Sequence, residues 1–228
     1  MTSNVLVMEG RGRGGREAGG RGAFTRNLVP GNRVYDETLL KIRGSEYRSW
    51  NPYRSKLAGA ILKGELSPDI IKDGDKVLYL GASTGTTISH VSDIVGSEGL
   101  VVGVELSARV GRDFLEHVAK ARGNVIPFIA DARETERFSG FGKMDVVYCD
   151  IAQRDQTDIA IANAKEHLKK EARLILIVKA RSIDGLKEPA QVFKEEAQKL
   201  RDAGFLVEKV VDLRPYDKDH ALISATMK

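Results

Sequence analysis

Four polar residues each close a short apolar run in this chain. Glu105 follows LVVGV, Asp131 follows VIPFIA, Asp150 follows VVYC and Lys179 follows LILIV. An acid in the place of Glu105 can accept hydrogen bonds from ribose hydroxyls, in nicotinamide sites as well as others. An acid in the place of Asp131 can take an adenine amino group. Asp150 and Lys179 are of opposite charge, and buried opposite charges hold each other ionised. A lysine poised in this way can assist removal of a proton from a weakly acidic hydroxyl. Singly, each residue is as readily a solvated strand end, and the last two a structural ion pair. Four in register at one edge argue for a site.

A glycine loop precedes them. The stretch Val77–Thr87 reads VLYLGASTGTT, a β-rich run, then small and hydroxyl residues, then a helical pattern. Strand, glycine loop and helix form the local unit of a nucleotide-type cofactor site. Gly81 permits a tight turn with positive φ, and Gly85 lets backbone approach a ligand closely. The spacing is not GxGxxG and no phosphate-binding lysine is present, so the loop is not built for a triphosphate. Taken alone, it is equally a plain strand-to-helix turn.

The elements that position these residues follow from periodicity. Strands are predicted over 77–80, 100–106, 125–130, 144–150 and 173–179, with helices over 87–95, 109–121, 155–168 and 189–203. Near-continuous Val/Ile/Leu strands alternating with amphipathic helices predict a parallel sheet covered on both faces. Two further strands, 206–213 and 221–227, are joined only by RPYDKDH. That link is too short for a parallel crossover, so the pair is an antiparallel hairpin. Five parallel strands with a terminal antiparallel pair predict a Rossmann-like methyltransferase fold: seven strands, the last antiparallel. With GxGxxG missing, the hairpin argues against a nicotinamide dehydrogenase.

Residues 1–50 read as a small β-rich lobe with strands over 5–8, 23–29 and 39–42, Gly44 opening a turn before Tyr47, and residues 51–228 as the catalytic domain. Asn51–Pro52 marks the break. Ser55 is a suitable N-cap for a helix through Lys63, and Ser67–Pro68 begins another short helical turn. The lobe holds nine Lys/Arg against five acids, which accounts for the whole net charge of +4. Its Gly/Arg-rich stretch, residues 10–22, is either an RNA-contacting tail or a long loop between two strands. One cysteine excludes an intrachain disulfide and fits a reducing compartment. Four scattered histidines make a structural metal improbable. No apolar run reaches the ~20 residues of a membrane span.

Several stretches carry a closer resemblance: NLVPGNRVYDE (27–37), YRSWNPYRSKLAGAILKG (47–64), LYLGASTGTTISHVSD (78–93), VVGVELSARV (101–110), VVYCDIAQRDQ (146–156), IVKARSID (177–184) and YDKDHAL (216–222). From about residue 24 onward the chain resembles the fibrillarin family in its archaeal form. That resemblance implies an S-adenosyl-L-methionine-dependent RNA 2′-O-methyltransferase with no metal. It implies a catalytic set of Lys56, Asp150, Lys179 and His220. It implies cofactor contacts at Gly81, Ala82, Thr86, Thr87, Glu105, Leu106, Asp131, Ala132, Asp150, Ile151, Ala152 and Gln153. It also implies a box C/D ribonucleoprotein in an archaeal cytoplasm, with guide RNA, target rRNA or tRNA, a Nop-family scaffold and a kink-turn-binding ribosomal-type protein. The catalytic part shows no RNA-recognition module of its own, which agrees with delegated target selection. Archaeal members ordinarily lack a Gly/Arg stretch in the lobe, so here the chain departs from their pattern. A stand-alone protein (glutamine) methyltransferase and a non-catalytic RNA-binding subunit remain alternatives.

Overall fold

The computed structural model describes residues 4–9 and 21–227. Most of the Gly/Arg-rich stretch therefore lies outside the described residues. The strands on either side of it, β1 (Val5–Glu9) and β2 (Arg21–Arg26), pair antiparallel with Glu9 opposite Arg21. The stretch thus joins two strands of one small sheet.

That sheet also contains β3 (Leu39–Ile42) and β4 (Ser45–Trp50), in the order β1-β2-β4-β3, all antiparallel. The turn at Gly44 is present, with φ of +83°. The strand after it was not anticipated. SEYRSW looks polar, but Arg48 and Trp50 point inward and are buried, so an inward arginine masks the alternation. β2 is shorter than the predicted 23–29, because the Asn27 side chain accepts from the Val29 amide and turns the chain.

After α1 (Lys56–Leu62), capped by Ser55, a seven-stranded sheet is built from β5 (Lys76–Leu80), β6 (Leu100–Glu105), β7 (Val125–Ile129), β8 (Met144–Cys149), β9 (Leu168–Lys179), β10 (Phe205–Asp212) and β11 (His220–Met227). The order is β10-β11-β9-β8-β5-β6-β7. β11 runs antiparallel to both of its neighbours, and β5 to β9 are mutually parallel. This is the Rossmann-like methyltransferase fold that the terminal hairpin predicts. The order reverses at β5, whose neighbours are β6 and β8, so a crevice opens beyond the carboxyl ends of these strands.

Alternating strand residues feed two cores. Val77 and Tyr79 face a core shared with α1, α2 (Thr86–Val95) and the small sheet. Leu78 and Leu80 face another, covered by α4 (Gln156–His167) and α6 (Pro189–Asp202). α3 (Ala108–His117) stops earlier than predicted at Val118, which packs beneath the glycine loop, and a 3-10 turn over Ala119–Ala121 follows. β9 starts earlier than predicted, through an exposed irregular segment in which Glu171 has positive φ. A short helix, α5 (Ala180–Ile183), directly follows Lys179 and was not read from the sequence.

A fully buried polar network fastens the small sheet to α2. Arg48 donates to Glu37, Asp93 and Ser89 at 2.8–2.9 Å. Asp93 also accepts from Thr25, the Leu28 amide and Arg122. Buried charges are tolerated only when paired and hydrogen-bonded in this way.

Candidate active site

The crevice residues are set by strand ends. Asp150 directly follows β8, and Lys179 ends the neighbouring β9. The Lys179 ammonium lies 2.8 Å from Asp150 Oδ1 and 3.1 Å from the Asp150 carbonyl oxygen. Lys56, the first residue of α1, reaches Asp150 Oδ2 at 3.3 Å. One carboxylate is therefore clamped between two ammonium groups, leaving an excess positive charge at a partly recessed point. His220 opens β11 as the Cα partner of Lys179, and its Nδ1 hydrogen-bonds the Asp217 carboxylate. Gln156, fully buried, accepts from the Lys179 amide at 3.0 Å and donates to the Gln153 carbonyl at 2.9 Å. The strand-end reading found Asp150 and Lys179. The residues alone do not single out Lys56, His220 or Gln156, which converge only through the tertiary fold.

Beneath the carboxylate, Tyr79 and Tyr148 stack with ring centroids 4.4 Å apart. Burial, with the Asp150 charge adding to it, holds both phenols well above their ordinary range, so they stay neutral. Burial also pushes the Cys149 thiol up to about 12.

Beside the carboxylate opens a cavity of about 270 Å³, near the lower bound of small-ligand sites. Gly81, Glu105, Leu106, Asp131, Ala132, Asp150, Ile151, Ala152 and Gln153 line it, together with Lys179. Gly81 has φ of +87°, and a Cβ there would lie 2.6 Å from the Asp150 carbonyl oxygen. Only glycine lets the ends of β5 and β8 meet at the cavity floor. Glu105 accepts from the Ser83 and Ser107 amides at 2.9 Å each. Of the roughly four acceptor sites on a carboxylate, these occupy two. Asp131 accepts from the Arg133 amide and faces its guanidinium, which also pairs with Asp155. Arg133 and Ser83 line the cavity and were not read from the sequence.

Three of the anticipated contact residues do not line the cavity. Ala82 is buried in the core, and Thr87 donates to Ser55 at 3.2 Å. The Thr86 carbonyl accepts from Ser89. Gly85 is not among the residues that line the cavity. Its φ is +100°, and a Cβ there would meet Val118 Cγ2 at 2.3 Å, so helix packing demands this glycine.

A family model, Fibrillarin, matches residues 16–228. The chain belongs to the fibrillarin family. A fibrillarin-like rRNA/tRNA 2′-O-methyltransferase of Saccharolobus solfataricus is 53% identical to it over 205 residues, 90% of this chain and 88% of that one. Aeropyrum pernix fibrillarin, solved with natively bound S-adenosyl-L-methionine, is similar at 44% identity and a TM-score of 0.84, covering 97% of this chain and 94% of the other. A chain of a fibrillarin/Nop5p complex is similar at 40% identity and a TM-score of 0.81, covering 91% and 94%.

The cavity of this fibrillarin-family chain fits the cofactor of its Aeropyrum relative. Glu105 has free acceptor capacity for hydroxyls, and Asp131 for an amino group. The glycine loop, residues 81–87, carries no lysine of the kind that holds a polyphosphate. Among the described residues, no cluster of His, Cys, Asp or Glu is suited to a metal ion, and no helix is long and apolar enough to cross a membrane.

Proposed function

We propose that this chain methylates ribose 2′-hydroxyls of rRNA and tRNA, using S-adenosyl-L-methionine as donor. The observation that carries the reading is the Lys56–Asp150–Lys179 clamp at the rim of the cavity, in a member of the fibrillarin family. The bound cofactor supplies an electrophilic methyl group on a sulfonium that leaves readily.

The residues of the chain orient the partners around that methyl. Glu105 and Leu106 on β6, and Asp131 and Ala132 beyond β7, hold the nucleoside part of the cofactor, while Gly81 and residues 150–153 floor its site. Thr86 and Thr87, which the cavity leaves out, bear on it through the position of α2. Lys179 stands nearest the 2′-hydroxyl with Asp150 fixing it, and the hydroxyl proton passes by way of Lys179 to the Asp150 carboxylate as the oxygen–methyl bond forms and the methyl–sulfur bond breaks. Lys56 and His220 position the ribose and shape the local charge. Alignment of reacting atoms contributes up to about 7–11 kcal/mol, and base assistance a further ~10²–10⁴-fold.

A Nop-family protein is the partner that the fibrillarin/Nop5p complex supports. In the fuller reading the chain is the catalytic subunit of a box C/D particle. Guide RNA selects the nucleotide, and a kink-turn-binding ribosomal-type protein completes the assembly. The archaeal relatives support a cytoplasmic site of action. Calorimetric titration with S-adenosyl-L-methionine, then methyl transfer to target RNA with and without scaffold, kink-turn protein and guide, tests this. Full site-specific transfer by the isolated chain would remove the particle from the account, and absence of cofactor binding would remove the reaction.

A further inference from the structure

Gln153 and Gln156 stand three residues apart in VVYCDIAQRDQ, and only the first lines the cavity. Gln156 is the first residue of α4, and none of its surface is exposed. A long amide side chain is seldom buried whole unless its polar atoms are matched. Here they are matched to two pieces of backbone from different parts of the site.

The reason lies in where the ladder between β8 and β9 ends. Its last backbone pair is Cys149 with Leu176, short of Lys179. β8 stays tied to β5 one residue further, as the Asp150 amide donates to the Leu80 carbonyl at 2.9 Å. Beyond it, residues 150–153 leave the sheet and line the cavity. Two side chains bridge the gap to β9. Lys179 Nζ donates to the Asp150 carbonyl oxygen at 3.1 Å, and Gln156 Oε1 accepts from the Lys179 amide at 3.0 Å. At the other end of the same amide, Gln156 Nε2 donates to the Gln153 carbonyl at 2.9 Å.

One side chain thus fastens the main chain of Lys179 to the loop that floors the cavity. Lys179 reaches Asp150 through a flexible four-carbon stem, so its ammonium goes where its backbone is held. The next amide along, that of Ala180, donates to the Asp219 carbonyl at 3.0 Å, beside His220. Misplacing a reacting group by about 1 Å costs about 10²-fold in rate.

We propose that Gln156 is a positioning residue for methyl transfer, fixing the backbone of Lys179 to the cofactor loop so that lysine and methyl donor keep one spacing. This rests on the methyl-transfer reading above. Gln156 itself is closed to solvent and lies outside the cavity lining, so it acts through Lys179 and residues 150–153.

The test uses the particle reconstituted with scaffold, kink-turn protein, guide and target RNA, at saturating S-adenosyl-L-methionine, with calorimetric stoichiometry giving the folded fraction. Gln156→Met keeps the length of the side chain and removes both hydrogen bonds. Its rate constant for transfer falls about 10²-fold, while the KM for target RNA stays at the parent value. Gln156→Glu supplies the rescue. Its protonated carboxyl accepts from the Lys179 amide and donates to the Gln153 carbonyl as the native amide does, whereas the ionised form cannot donate. Burial favours the protonated form. The titratable and charged groups at this position are Cys149 and Asp150 at the end of β8, Lys179 of β9, and Asp155 with its partner Arg133. Dividing by the parent rate at each pH removes their own titration, and the rate of Gln156→Glu relative to the parent rises as pH falls. A Gln156→Met rate equal to that of the parent overturns the proposal and leaves the reaction standing. A relative rate of Gln156→Glu that does not move with pH overturns it too, and decides the matter if Gln156→Met does not fold. A parent particle that transfers no methyl defeats the underlying reading itself.

Discussion

His220 and Lys179 lie opposite one another as Cα partners where β11 runs antiparallel to β9. This register brings a residue from the final hairpin to the point where a parallel strand delivers its lysine. Lys179→Ala lowers methyl transfer by ~10²–10⁴-fold or more and leaves cofactor affinity near that of the parent chain. His220→Ala acts in the same direction. Single-turnover transfer and calorimetry on the same preparations separate the two effects. Transfer at the parent rate in Lys179→Ala would falsify the assignment.

Gly81→Ala directs a methyl to within 2.6 Å of the Asp150 carbonyl oxygen at a φ of +87°. Relief requires the ends of β5 and β8 to part, and the floor of the cavity opens. The expected result is loss of cofactor binding at a stability cost on the order of 1–3 kcal/mol. Calorimetry and urea unfolding measure the two. Normal binding would show that the contact is not part of the site.

Arg48→Ala removes one partner of a pair whose side chains are fully buried. Glu37 loses its buried cation, while Asp93 keeps Arg122. The expected loss is ~3–5 kcal/mol, read as a lower midpoint in urea with the slope retained.

His90 confers a pH dependence on stability. Burial first, and then the Arg48 and Arg122 charges, hold its pKa well below the ordinary 6.5. Below about pH 6.5 the unfolded chain therefore binds a proton that the folded chain refuses. The stabilisation is complete above that pH and is lost as pH falls toward the folded-state value. His167, also lowered chiefly by burial, acts with the same sign. His90→Gln flattens the acid limb of an unfolding-versus-pH profile, and an unaltered limb would exclude His90 as its source.

Cys149 is fully buried, and its thiol is pushed up to about 12. Thiolate is the reactive form. Iodoacetamide at pH 8 should leave the native protein unlabelled and label it in denaturant, as mass spectrometry reads. Rapid native labelling would show that β8 opens.

Strand ends were the legible part of this site, because parallel strands buried on both faces are continuous apolar runs. The polar residue that stops such a run marks the edge of the sheet, which is how Glu105, Asp131, Asp150 and Lys179 declare themselves. The closing hairpin was legible from the length of its link. Lys56 resembles any solvated lysine at a helix start, and only the approach of α1 to β8 gives it a partner. β4 was hidden because Arg48 occupies a core position, and a buried cation violates the alternation on which strand reading depends. Gly85 was assigned to a ligand when its neighbour is Val118, since a sequence shows that a glycine is needed but not which atom crowds it.

β11 follows β10 along the chain, yet it lies between β9 and β10. While a ribosome is still making it, β9 and β10 have no strand between them and Lys179 has no opposite residue. The cofactor cavity draws on residues 81–179 alone, whereas the set around Asp150 is completed only when β11 places His220 opposite Lys179.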